Sequence, residues 1–288
     1  YLDDEGNKVL GLAKIDGNLY YFSNPVATKY RMGEQVKGEL VKPYSFFNYN
    51  RSPYDNPVYY FDAETGAAVT NQFFNWKGNW YYFGNDGKAL LFDQVVNGQH
   101  LYFDANGRQV KGGFVTNTDG SRSFYHWNTG DKLVSTFFAT GHDRWYYADD
   151  RGNVVTGAQV INGQKLFFDT DGKQVKGAFA TNANGSRSYY HWNTGNKLVS
   201  TFFTTGDNNW YYADAKGELV VGEQTINGQN LYFDQTGKQV KGATAANPDG
   251  SISYYDVHTG EKAINRCVKI PSVQWVYFNA QVKGYVSN

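Results

Sequence analysis

The residues of this 288-residue chain that could do chemistry come in a repeated pattern. Gln-Val-Lys-Gly stands at 35 to 38, 109 to 112, 174 to 177, 239 to 242 and 281 to 284, and a Trp-Tyr-Tyr group opens 29 residues before three of these glutamines, at Trp80, Trp145 and Trp210. In an extended segment, Gln and Lys two residues apart share a face while the Val between them turns the other way. An amide and an ammonium beside a flat ring suit a sugar, whose axial C–H groups lie on the ring while its hydroxyls bond the polar arms. Each contact is weak, but several on one chain gain strength on a polymer through effective concentration. The plainer alternative is that the Lys merely discourages edge pairing, with a solvated Gln beside it, and that most rings are core. Only one or two rings per unit are expected in a pocket.

Catalysis asks for a converging acid and base, or a nucleophile held by a base, and no such set is apparent. The carboxylates lie mostly in turns such as Asp149-Asp150-Arg151-Gly152 and Asp169-Thr170-Asp171-Gly172, where Asp bonds nearby amides. Asp169 and Asp171 lack the further ligands and the twelfth-position Glu of an EF-hand calcium loop. His126 and His191 lie one period apart and are expected as rings in the stack; His100, His142 and His258 are scattered. No catalytic residue, metal or cofactor is assigned. The 27 Lys and Arg balance the 27 Asp and Glu with no basic stripe, which argues against nucleic acid. No stretch approaches the roughly 18 apolar residues of a membrane span. The chain opens at Tyr1 and contains a single Met32, so it reads as a piece of a longer polypeptide. Cys267 has no internal partner and is expected as a small buried filler.

The elements that must position the rings and forks follow from the repetition. Residues 114 to 178 and 179 to 243 align without a gap and are identical at 45 of 65 positions. Within each period a shorter theme of about 21 residues recurs: an aromatic run, a turn, then a Val or Leu pair. Such runs, bounded by Gly, Asp and Asn with no helical period, predict strands joined by tight turns. Asn97-Gly98, Asn162-Gly163 and Asn227-Gly228 supply the positive φ of type I′ hairpins. A lone hairpin cannot bury its aromatic face, so the reading is all-β: a β-solenoid of stacked β-hairpin repeats. With 51 aromatics and few aliphatics, it should have many small clusters instead of one core. Residues 1–57 are expected as irregular N-terminal repeats, since four of the six prolines fall within 25 to 57. Residues 58–264 are expected as the regular array with the 65-residue period, and 265–288 as a degenerate capping repeat.

The run Leu101-Tyr102-Phe103-Asp104-Ala105-Asn106-Gly107-Arg108-Gln109-Val110-Lys111-Gly112, the long period and the Thr-Asn-x-x-Gly-Ser-Arg-Ser opening at 116 and 181 resemble the C-terminal glucan-binding repeats of bacterial glucansucrases. The resemblance covers residues 58 to 264 well and the ends less well. It implies a noncatalytic, secreted or cell-surface domain that binds α-glucan: dextran with α-1,6 links, with α-1,3-linked glucan as a further ligand. It also implies that the polymer is retained near the catalytic domain of a parent glucosyltransferase. Carried over, the carbohydrate-binding sets are Trp80 or Tyr81 with Gln109 and Lys111, Trp145 or Tyr146 with Gln174 and Lys176, and Trp210 or Tyr211 with Gln239 and Lys241. Which ring of each group stacks is left open. No pocket is expected at Gln35 and Lys37, after an insertion, or at Gln281 and Lys283, after a shortened turn. The rivals are a choline-binding cell-wall module, which a lysine beside each ring disfavours, and a toxin-type receptor-binding array for cell-surface oligosaccharides.

Overall fold

The computed structural model describes residues 1–24, 30–43, 57–141, 143–206, 209–247, 249–269, 275–278 and 285–286. The described residues are strand, turn and loop, with no helix. Asn97 and Gly98 have φ of 52° and 81°, and Asn162, Gly163, Asn227 and Gly228 repeat these values closely, as type I′ turns require. They close the hairpins Phe92–Val96 with Gln99–Phe103, Gly157–Ile161 with Gln164–Phe168, and Gly222–Ile226 with Gln229–Phe233. The other two hairpins of each period have longer connections, as between Ala178–Thr181 and Arg187–Tyr190.

Sequence parity decides which side chains become core. The second strands end in residues with almost no exposure: Phe61, Phe83, Phe103 and Tyr125, then Phe168, Tyr190, Phe233 and Tyr255. Each is bridged to a residue six or seven positions on, past a turn, as in Phe103 with Gln109 and Tyr190 with Lys197. The amide of that second residue donates to a carbonyl of a preceding hairpin. Since each hairpin buries its rings only against its neighbours, apolar burial is divided among small clusters, such as Val96, Leu101 and Phe103, or Ile226, Leu231 and Phe233.

The chain divides into two compact units, Tyr1–Phe137 with Ala148–Val154, and Phe138–Tyr147 with Val155–Asn288. In the first, the linking bonds run from Ala68, Ala89, Gln109, Lys132 and Val154 to the carbonyls of Leu19, Val58, Trp80, His100 and Arg122, at 2.7 to 2.8 Å. In the second they run from Gln174, Lys197, Leu219, Gln239 and Lys262 to Trp145, Lys165, Arg187, Trp210 and Asn230, over the same distances.

The Cys267 expectation needs correction, and the structure adds detail to two others. The N-terminal 57 residues are not irregular throughout: Gly11–Ile15 and Asn18–Phe22 form a regular hairpin, and Glu39–Val41 pairs with Tyr59–Phe61. Residues 25–29 and 44–56, with Pro25 and Pro53, lie outside the described residues. Cys267 is exposed, not buried: along Arg266–Lys269 only Val268 is partly buried, and Cys267 precedes it on the opposite face of the strand. His126 is more than a stacked ring. It lies 4.6 Å from Trp127, centroid to centroid, and its Nδ1 also accepts the amides of Asn128 and Thr129, as Asp62 Oδ1 does for Glu64 and Thr65.

Candidate functional site

Strand alternation resolves the choice of ring. Along Asn79–Phe83, Tyr81 and Phe83 point inward while Trp80 points out, and the strands Trp145–Ala148 and Trp210–Ala213 repeat the pattern. Trp80, Trp145 and Trp210 are 41%, 39% and 40% exposed, whereas Tyr81, Tyr146 and Tyr211 are 1%, 7% and 8% exposed. The three tyrosines are therefore core residues and offer no face to a ligand. Equivalent strands share the parity: Leu101 and Phe103, Leu166 and Phe168, and Leu231 and Phe233 occupy the same inward pair.

Backbone hydrogen bonds join ring and fork. The amides of Gln109, Gln174 and Gln239 each donate to the carbonyl of Trp80, Trp145 or Trp210 at 2.7 Å. The ammonium two residues later then lies over the indole: Lys111 is 5.2 Å from the Trp80 ring centroid, Lys176 5.5 Å from Trp145, and Lys241 5.1 Å from Trp210. Burial also pushes the Lys111 ammonium below its ordinary pKa.

The forks are not solvated edges. Gln109 Nε2 donates to the Thr129 carbonyl at 3.1 Å and Lys111 Nζ to the Asn128 carbonyl at 3.0 Å, so the fork grips the turn that follows the next hairpin. Gln239 and Lys241 hold the carbonyls of Thr259 and His258 in the same way, and Gln174 holds that of Thr194. Gln35 and Lys37 likewise bond the carbonyls of Thr65 and Glu64, so the first fork is also a joint. Gln281 and Lys283 lie outside the described residues. Gln174 and Gln239 are each only 6% exposed, which makes lysine the more accessible arm. An ammonium carries three donors, and one carbonyl leaves others for a ligand.

Around Trp145, Gln174 and Lys176 lies a cleft of about 700 Å³, whose further lining includes Trp192, Asn193, Asp169 and Lys173. Trp192 is 70% exposed and adds a second indole; its period partner Trp127 is 51% exposed. The two rings stand one period apart in the sequence, each directly after His126 or His191. At the Gln239 and Lys241 fork the cleft measures about 320 Å³, and Val257 stands where the other periods have Trp127 and Trp192. The clefts are thus related but unequal. Asp169 serves its own turn, its Oδ1 accepting the amides of Asp171 and Lys173.

Comparison with known proteins places this architecture. The family model described as "Choline-binding repeat" matches residues 9–73, 94–137, 155–202 and 220–266. The chain belongs to the choline-binding-repeat family. Two further segments of this repeat protein, 71–89 and 200–219, match the model described as "Putative cell wall binding repeat". It is 39% identical over 94% of its length to Glucosyltransferase-S of Streptococcus mutans serotype c, and 42% identical over 90% to Glucosyltransferase-I of the same organism. The chain spans only 17% and 16% of those enzymes' lengths. Among solved structures, choline binding protein F from Streptococcus pneumoniae shares the fold, with a TM-score of 0.61 at 20% identity over 91% of this chain and 95% of that one.

Proposed function

We propose that this chain is a noncatalytic module that binds α-glucan, first of all α-1,6-linked dextran and also α-1,3-linked glucan. In this reading it acts outside the cell or at the cell surface and retains polymer beside the catalytic domain of a sucrose-dependent glucosyltransferase. The observation that carries the reading is the thrice-repeated set of an outward indole, a lysine 5.1 to 5.5 Å from its centroid and a glutamine whose main-chain N–H donates to the tryptophan's main-chain carbonyl. Homology to glucosyltransferases over nearly the whole chain supports it. A sugar can stack on the free part of each indole while its hydroxyls accept from the ammonium.

The family's description names choline, but a quaternary ammonium needs the ring face that each lysine already approaches, and the two cations repel. The test is migration of the chain in native gels without additive, with dextran and with choline. Dextran alone should retard it. Free migration in dextran removes the glucan reading, and retardation by choline replaces it. Replacing Trp145 alone should weaken retardation in part, and replacing Trp80, Trp145 and Trp210 together should remove most of it.

A further inference from the structure

We propose that residues 92–153, which stand one 65-residue period before 157–218 and are termed the first period, carry a second, differently built glucosyl site, walled by Phe92 and Tyr102. It rests on the glucan reading above but shares no residue with the fork clefts. The site is a cleft of about 420 Å³, within the range of about 300–1,000 Å³ usual for ligand pockets.

Phe92 is the first reason. Its φ is +60°, a left-handed conformation that a bulky side chain adopts only when its surroundings enforce it. The equivalent positions in the next two periods are Gly157 and Gly222, with φ of 69° and 74°. All three have the same register partner, namely Phe103, Phe168 and Phe233. The backbone therefore takes this shape with glycine, and only the first period adds a ring. That ring meets Tyr102 edge-on at 6.1 Å, so the two aromatics form one apolar wall.

The second reason is the polar lining, part of which each later period ties up in a pair of its own. One period on, Asn184 Nδ2 donates to Glu218 Oε1 at 3.0 Å, and two periods on, Lys262 pairs with Glu223. The first period has Asp119 and Asn153 in place of Asn184 and Glu218, and Lys132 and Asp93 in place of Lys262 and Glu223. Asp93 accepts the Tyr125 hydroxyl at 2.8 Å, and Asn153 Oδ1 accepts the Ser121 hydroxyl at 3.1 Å. Lys132 and Arg151 line the cleft together with Asp93 and Asp119, two cations with two carboxylates; Asn153 adds an amide, and Asn117, whose own Nδ2 donates to Ser121 Oγ at 2.8 Å and Ser123 Oγ at 3.0 Å, borders it. A ring wall facing donors and acceptors of both signs, with no net charge, fits a neutral polyhydroxyl ring better than an anion or a quaternary ammonium.

The test follows side-chain NH signals of the isotope-labelled 288-residue chain during titration with isomaltotriose, and in parallel with inorganic phosphate and with choline. The Asn117 and Asn153 side-chain amides should shift with isomaltotriose alone. They should still shift when Trp80, Trp145 and Trp210 are all replaced by Ala, and stay still in Phe92→Gly, which keeps the fold because Gly157 and Gly222 hold the same position. In dextran gels, Phe92→Gly should weaken the residual retention of the triple-Trp variant by about two- to tenfold. If the indole NH signals of Trp80, Trp145 and Trp210 shift in the unmodified chain while both amides stay still, this site is refuted and the fork reading stands. If neither set moves, both fail. Amide shifts with phosphate or choline but not with isomaltotriose overturn the ligand class.

Discussion

Replacing Gly195 by Ala tests whether the Gln-x-Lys fork works as a joint. Gly195 has φ +71°, and a Cβ there would land on the Gln174 side-chain amide, with its Cδ at 3.0 Å and Lys176 Cγ at 3.2 Å. Gly163 in the same unit is the control: its φ is +77°, but a Cβ there meets nothing within 4 Å. Left-handed backbone should cost each variant about 1–2 kcal/mol. Only Gly195→Ala also displaces the fork, giving up the Gln174 bond to Thr194 and crowding a closed contact, for a further ~1–3 kcal/mol. Because a repeat array shares stability only with its neighbours, a single global midpoint hides the difference, and hydrogen exchange at the Gln174 amide is the better assay. That amide donates to Trp145. Its protection should fall by about ten- to a hundredfold in Gly195→Ala relative to Gly163→Ala, with partial loss of dextran retardation as the 700 Å³ cleft loosens. Equal exchange in the two variants would refute the joint.

Two further outcomes follow from burial and charge. Trp145→Ala should weaken dextran binding with little loss of stability, since the ring is 39% exposed, whereas Tyr146→Ala should destabilise the second unit by about 3–5 kcal/mol, read by urea unfolding. Asp256 is held down to about 2 by the amides of Thr259 and His258, with Arg266 adding to them. A depressed carboxyl stabilises above the unfolded value of about 3.9 and loses that contribution as pH falls toward 2. NMR titration should therefore put its midpoint near 2, and Asp256→Asn should flatten the acid limb of a stability profile; a midpoint near 3.9 would contradict the capping geometry.

The hairpins were legible because their determinants are local. Asn-Gly pairs set the turns, aromatic runs set the strands, and the 65-residue period announced that the units stack. The candidate site was legible in its members, Trp with Gln and Lys, but not in its orientation. Tyr81, Tyr146 and Tyr211 looked as available as their tryptophan neighbours because a run of three rings carries no polar residue to mark the outer face. Burial alternation then sent them inward.

The sequence by itself determined the repeat, the turn chemistry, the identity of the ring-and-fork residues and the scarcity of aliphatic core. These depend on residue types at short spacing. Tertiary structure alone decided what the fork grips, since its partners Thr129 and Asn128 belong to the turn after the next hairpin and its ring to the preceding hairpin. It also decided that the clefts are unequal, where Trp192 in one period gives way to Val257 in the next, and that Phe92 sits in a conformation that Gly157 and Gly222 hold in the later periods. Contacts between hairpins turn one repeated sequence into different sites, because each side chain meets whatever its neighbouring repeat presents.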